Sequence, residues 1–201
     1  MDGAGPVRSK AIYRTLIDVP TRLDGQRVTL RSLGPADAPE LLAAIAESRA
    51  EFAPWIRGVS RIMDIDDATD YCARMAADWI ERSRLCFAVR ARHDGRLLGE
   101  VTLHRIDWNI GSAEVGFWLR TTATGGGYMT EAMGLVTHLI FDLLGGQRIV
   151  LRADSGNRGS IAIAERLGFC HEATHRRAAR GSDDTLRDVV VYAKVRENHP
   201  E

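Results

Sequence analysis

The sequence has few cysteines and no excess of charge of either sign. Its 201 residues include three cysteines, Cys72, Cys86 and Cys170, which lie far apart and form no Cys-x-x-Cys pair. This spacing argues against a zinc site and predicts three reduced thiols. The 27 Lys and Arg residues balance 27 Asp and Glu residues. A surface that binds nucleic acid or membranes through bulk charge is therefore not expected.

Long apolar segments are also missing. No apolar run approaches the roughly 20 residues that a membrane-spanning helix requires. Residues 1–10 are polar and lack the apolar region of a signal peptide. We therefore expect a cytoplasmic protein that does not associate with membranes. The length fits one domain with a sizeable core, and no linker indicates a second.

Hydrophobic periodicity and turn residues divide the chain into strands and helices. The strands are expected at residues 28–33, 85–91, 97–106, 113–119, 148–153, 170–177 and 186–195. Helices are expected from Asp37, over 68–80, over 129–143 and over 157–167. This order places two strand–helix–strand crossings behind an antiparallel meander. It predicts an α/β fold, with helices packed on a mixed sheet.

A glycine run, Gly125-Gly126-Gly127, connects a strand to the long helix at residues 129–143. The free amides and the dipole of a helix start attract anions, and glycines let the backbone approach a phosphate closely. A phosphate-binding loop explains the run, and so does an ordinary turn. A Walker A loop is excluded because no Lys-Ser/Thr pair follows.

A second polar segment, Asn157-Arg158-Gly159-Ser160, begins the next helix. Asn157 or Ser155 would cap that helix in the usual way. The alternative is that the amide of Asn157 and the hydroxyl of Ser160 contact a ligand between the two helix starts.

Several of these segments together resemble the GNAT acetyltransferase superfamily, and most closely its RimJ/RimL branch. The matching segments are Thr21–Leu23, Val28–Leu33, Glu114–Leu119, Gly125–Ala132, Asn157–Ser160 and Leu167–Phe169. The resemblance implies one GNAT domain over residues 21–196, a partly disordered extension over 1–20 and a tail over 197–201. It also implies a mostly antiparallel sheet with one parallel pair splayed around acyl-CoA, and helices on both faces.

The resemblance implies acetyl-CoA as the cofactor and no metal. The backbone of Trp118, Leu119 and Arg120 would pair with the pantetheine arm. The loop from Thr124 to Thr130 would hold the pyrophosphate, which assigns a binding role to Thr124, Gly125, Gly126, Gly127, Tyr128, Met129 and Thr130. Asn157 would bind the pantetheine, and Ser160 would lie near the thioester sulfur as the acid for the leaving thiolate.

Three residues depart from the family pattern. Thr124 replaces the usual Gln or Arg, and Met129 replaces a small residue. Ala164 stands where many members carry a Tyr that protonates the leaving thiolate.

The acceptor amine must lose a proton before it attacks a thioester. Glu114 is the first candidate base, although a structural salt bridge would also explain it, and Glu100 is the second. Trp55, Glu100 and His104 are expected to bind the acceptor. Tyr71 and Trp79 are expected in the core.

The sequence is compatible with three functions. The first is acetylation of a protein N-terminus, as in the RimJ/RimL branch. The second is acetylation of a small amine such as an antibiotic or a polyamine. The third is a CoA-binding module without catalysis. A homodimer formed through an exposed final strand is a further expectation.

Overall fold

A computed structural model of the chain describes residues 14–52, 54–181 and 184–197. Its strands form one sheet in the order β1-β2-β3-β4-β5-β6-β8-β7. The strands are β1 (Arg22–Asp24), β2 (Val28–Ser32), β3 (Leu85–Ala91), β4 (Leu97–Asp107), β5 (Ser112–Leu119), β6 (Arg148–Asp154), β7 (Cys170–Arg180) and β8 (Leu186–Val195). The short β1 was not predicted. The expected extension falls mostly on residues 1–13, outside the described residues, as does most of the expected tail.

Within the described residues, five α-helices accompany the sheet. They are α1 (Ala38–Phe52), α2 (Arg57–Ser60), α3 (Ile65–Glu81), α4 (Tyr128–His138) and α5 (Arg158–Arg166). A π-helical turn over Leu139–Leu143 continues α4. The side chain of Asp64 caps α3 by accepting the N–H of Asp67. Asp37 precedes α1 as predicted, but its buried carboxylate pairs with Arg31 and Arg90.

The helices cover both faces of the sheet, as predicted. On one face, α1 and α3 bury Leu41, Ile45 and Met75 against the even-numbered side chains of β3 and β5, such as Cys86 and Trp118. On the other face, the core contains α4, α5 and the odd-numbered side chains of β3, β5 and β6, such as Val115. Its fully buried side chains include Phe87, Leu103, Met133, Leu139, Ile149 and Leu151. The alternation of strand side chains produces this division.

Among the described strands, β5 and β6 are the one neighbouring pair that is parallel. β5 pairs with β6 from Ser112↔Arg148 to Val115↔Leu151 and no further. β5 continues to Leu119 along β4, while β6 continues to Asp154 along β8. The two strands therefore diverge after Val115 and leave a gap in the sheet. The predicted splayed parallel pair is confirmed.

The end of the sheet differs from the expectation of an exposed final strand. β8 lies between β6 and β7, so β7 forms the edge. After α5 the chain forms the β7–β8 hairpin, and β8 inserts between β6 and β7. Local periodicity does not encode which of the two hairpin strands lies at the edge. Among the described residues, no helix is long and apolar enough to cross a membrane.

Candidate active site

The gap between β5 and β6 opens into a cleft with two halves. The glycine half has a volume of about 630 Å³ and lies between the glycine loop and α5. The carboxylate half has a volume of about 370 Å³ and lies over β4 beside α2 and α3. The residues that line both halves are Trp55, Ile56, Phe117, Trp118, Asn157 and Ser160. The gap between the diverging strands thus connects two cavities that have different lining residues.

The glycine loop has a backbone that only glycine adopts without strain. Gly125 and Gly127 have φ angles of +77° and +75°. A Cβ on Gly126 would lie 2.9 Å from the ring of Tyr128. Gly127 is the N-cap of α4 and provides no side-chain cap. The first amides of α4 therefore suit an external anion.

Sequence reasoning missed the residues that hold this loop in place. Arg27 lies between β1 and β2, and its Nη1 donates to the Gly126 carbonyl at 2.7 Å. Its Nε donates to Glu131 Oε2 at 2.9 Å, and its guanidinium lies 5.4 Å from the centroid of Tyr128. Burial raises the pKa of Glu131, but hydrogen bonds from Arg27 and Val28 lower this pKa by a larger amount, so the net shift is downward. Arg27 and Glu131 form an ion pair beneath the loop.

The remaining predicted loop residues lie on or beside the glycine half. The Thr124 hydroxyl donates to the Thr121 carbonyl at 2.8 Å. Met129 is buried in the core below the loop. The Thr130 hydroxyl accepts from Arg166 Nη1 at 3.2 Å, which ties α4 to α5.

The backbone of β5 presents alternate residues to the gap. The N–H of Arg120 donates to the Leu98 carbonyl of β4 at 2.7 Å. Because backbone groups alternate along a strand, the N–H and C=O of Leu119 and Phe117 point towards the gap. Leu119 is thus placed for the predicted strand-like pairing. The backbone N–H groups of Trp118 and Arg120 point towards β4. Trp118 contributes its side chain instead.

Asn157 and Ser160 lie at the N-terminus of α5, facing both halves of the cleft. Asn157 Oδ1 accepts the N–H of Ser160 at 3.1 Å and caps the helix. This cap leaves the Ser160 hydroxyl on the cleft wall. Asn157 can therefore cap α5 while the Ser160 hydroxyl remains available to a ligand in the cleft.

Glu100 lies in the carboxylate half with 4% of its surface exposed. It accepts from the Tyr71 hydroxyl at 2.8 and 2.9 Å and from the Thr102 hydroxyl at 2.5 Å. Burial and the Glu100 charge raise the pKa of Tyr71, so the phenol stays protonated. Within the described ranges, no cation lies within 4.0 Å of Glu100. Tyr71, expected in the core, packs against it and also lines the cleft, and Trp79 is in the core as expected.

Glu114 does not line either half of the cleft along the described chain. Its Oε2 accepts from Arg105 Nη1 at 2.9 Å, and its Oε1 lies 3.9 Å from His104 Nε2. His104 lines the carboxylate half. Trp55 is 38% exposed and lies at the junction of the two halves. The first candidate base therefore meets the cleft only through His104.

Comparison with known proteins identifies this architecture. The GNAT acetyltransferase domain, as a sequence family, matches residues 27–170. The candidate ribosomal N-acetyltransferase YdaF of Bacillus subtilis (strain 168) is 28% identical over 153 residues, which span 75% of this chain and 82% of YdaF.

Two solved structures share the fold. The RimL ribosomal L7/L12 alpha-N-protein acetyltransferase in complex with coenzyme A superposes with a TM-score of 0.80 and 17% identity. The microcin C7 self-immunity acetyltransferase MccE in complex with acetyl-CoA and AMP gives 0.81 and 22%. Each match covers 88% of this chain and 97% of the other. Since the family match spans more than two thirds of the sequence, the chain belongs to the GNAT acetyltransferase family.

Proposed function

We propose that this N-acetyltransferase transfers an acetyl group from acetyl-CoA to the N-terminal α-amine of a protein. The observation that carries the proposal is the gap between β5 and β6. It joins a cavity suited to an anionic, extended ligand to one that contains the buried carboxylate of Glu100, whose hydrogen-bond donors in the described ranges are hydroxyls. The names of YdaF and RimL support a protein acceptor.

The glycine half fits acetyl-CoA. Gly125, Gly126 and Gly127 leave the start of α4 open to a pyrophosphate. The backbone N–H and C=O of Leu119 point towards the gap and suit the amides of a pantetheine arm, and Ser160 lies where both halves meet. Bound acetyl-CoA supplies an acetyl group activated as a thioester. In this proposal the Ser160 hydroxyl hydrogen-bonds the departing thiolate.

The carboxylate half fits a cationic amine. A buried carboxylate without a cation is costly, and an incoming ammonium group would compensate the charge of Glu100. This half is open to solvent, and Arg84, Arg152 and Asp154 also line it, so it is not a closed acidic pocket. An open cleft admits a chain that continues beyond its amine, which favours a peptide over a small amine.

Replacing Arg27 by Gln is expected to raise the KM for acetyl-CoA about tenfold and to leave kcat nearly unchanged. Arg27 fixes the Gly126 and Gly127 carbonyls from outside the cleft, and its loss frees the loop at a cost of about 1.4 kcal/mol in binding. Steady-state kinetics would measure this, with Arg22→Gln in β1 as the control. In the part of the chain that the structure describes, Arg22 pairs with its near neighbour Asp24. An unchanged KM would show that the loop does not depend on Arg27.

Two expectations stay proposals. We place the activity in the cytoplasm, because all three cysteines are free thiols and free thiols suit a reducing compartment. A homodimer remains a prediction. In this fold its strand pairing would use the β7 edge.

A thiol-release assay tests the proposed function. Purified protein would be incubated with acetyl-CoA and a panel of peptides with different N-terminal residues, N-blocked copies of each, and small amines. Release stimulated by free N-termini and absent with blocked ones would support the proposal. Release with small amines alone would identify a small-amine acetyltransferase. No release in the presence of bound acetyl-CoA would indicate a CoA-binding module.

A further inference from the structure

The β4 strand leaves regular pairing beside the carboxylate half. Its register with β5 shifts between His104 and Asp107, and Arg105 has a φ of +49°. A residue other than glycine adopts this conformation only at a cost in free energy, so surrounding contacts must maintain it. Here the contacts are with Glu114, which both His104 and Arg105 approach.

Glu114, Arg105 and His104 differ in their access to the cleft. The Glu114 carboxylate is 16% exposed and receives the Arg105 guanidinium at 2.9 Å. His104 Nε2 lies 3.9 Å from the other carboxylate oxygen. Only His104 of these three side chains lines the cleft. An acceptor amine in the carboxylate half would therefore meet the imidazole and not the Glu114 carboxylate.

The protonation state of His104 suits proton acceptance. Burial lowers the pKa of His104, Glu114 raises it, and Arg84 and Arg105 lower it further, with a net downward shift. The imidazole is therefore neutral at neutral pH. The other titratable or charged groups that line the same half are Tyr71, Glu100, Arg152 and Asp154.

We infer that His104 accepts the proton that the acceptor ammonium loses, and that Glu114, held by Arg105, is a positioning residue for the imidazole. This inference rests on the proposed function. The proton moves from the ammonium nitrogen to the unprotonated ring nitrogen and leaves a neutral amine. That amine forms the N–C bond as the thioester C–S bond breaks. Its second proton neutralises the thiolate, and the imidazolium releases its proton to solvent.

The His104→Gln variant tests the proton transfer. Its kcat for a peptide acceptor near neutral pH is expected to fall about 10²–10⁴-fold, the usual contribution of a general base. The KM for acetyl-CoA should not change. The deficit should shrink as the pH rises past the α-amine pKa of about 8, because solution then supplies neutral amine. His93→Gln, on the exposed β3–β4 turn, is the matched control, and thermal unfolding checks that each variant folds.

The Glu114→Gln variant separates positioning from proton acceptance. Because Glu114 raises the pKa of His104, its removal should shift the acid limb of kcat to lower pH and lower the plateau only severalfold. The inference would be overturned if the kcat deficit of His104→Gln did not change with pH. It would also be overturned if the unsubstituted protein kept its full kcat at acidic pH. A Glu114→Gln variant without turnover at any pH would overturn it as well. A wild-type protein that acetylates no amine would instead refute the proposed function.

Discussion

Replacement of Glu100 by Gln is expected to lower kcat/KM for amine acceptors by roughly 10²-fold, since removing one partner of a buried ion pair costs about 3 kcal/mol. Glu100 is buried, and its hydrogen-bond partners are two hydroxyls. The cation that would balance its charge is the acceptor ammonium. The affinity for acetyl-CoA, measured separately by calorimetry, should not change.

The same substitution is expected to leave the free protein equally stable or more stable, by up to about 1 kcal/mol. Gln retains an oxygen that accepts from Tyr71 and removes the buried charge. Chemical denaturation would measure this, with the exposed Glu81→Gln at the end of α3 as the control. If Glu100→Gln unfolds the protein while it lowers activity, the carboxylate has a structural role and the ammonium site is wrong.

The double substitution Gly125→Ala and Gly127→Ala is expected to raise the KM for acetyl-CoA by roughly 10²-fold. Each glycine has a left-handed φ, which costs an alanine about 1–2 kcal/mol. At Gly127 the new Cβ would also lie 3.1 Å from Arg27 Nη2. The loop would relieve the strain by leaving the conformation that opens the start of α4 to a pyrophosphate.

Gly95→Ala provides a control of equal backbone strain. Gly95 has a φ of +73° and an open surrounding, but it lies in the β3–β4 turn, away from the cleft. It should lower stability and leave the KM for acetyl-CoA unchanged. If the double variant and Gly95→Ala change the KM equally, the glycine loop has no specific role in cofactor binding.

Much of the fold is encoded in local patterns. The apolar periodicity of residues 68–80 marks α3, and the alternation of β5 separates Val115 from Glu114 and Trp118. The glycine run marks the start of α4 because left-handed φ angles leave few alternatives to glycine. Burial, capping and turn geometry act within a few residues, so one sequence is enough to detect them.

The contacts that complete the site are long-range, and the sequence did not reveal them. Arg27 is 99 residues from Gly126, and their contact depends on how β2 packs against α4. The hydrogen bond from Tyr71 to Glu100 joins α3 to β4 and brings the hydroxyl of a residue that packs against the core to a buried carboxylate of the cleft. The ion pair between Arg105 and Glu114 joins β4 to β5 beside the register shift that follows His104.

The most direct test of acetyl transfer across the β5–β6 gap is mass spectrometry of a peptide product. The protein would be incubated with acetyl-CoA and a peptide that carries both a free N-terminus and an internal lysine. We predict one added acetyl group, located at the N-terminal α-amine by fragmentation, with the lysine unmodified. Acetylation of the lysine alone, or an unmodified peptide while acetyl-CoA is bound, would contradict the account.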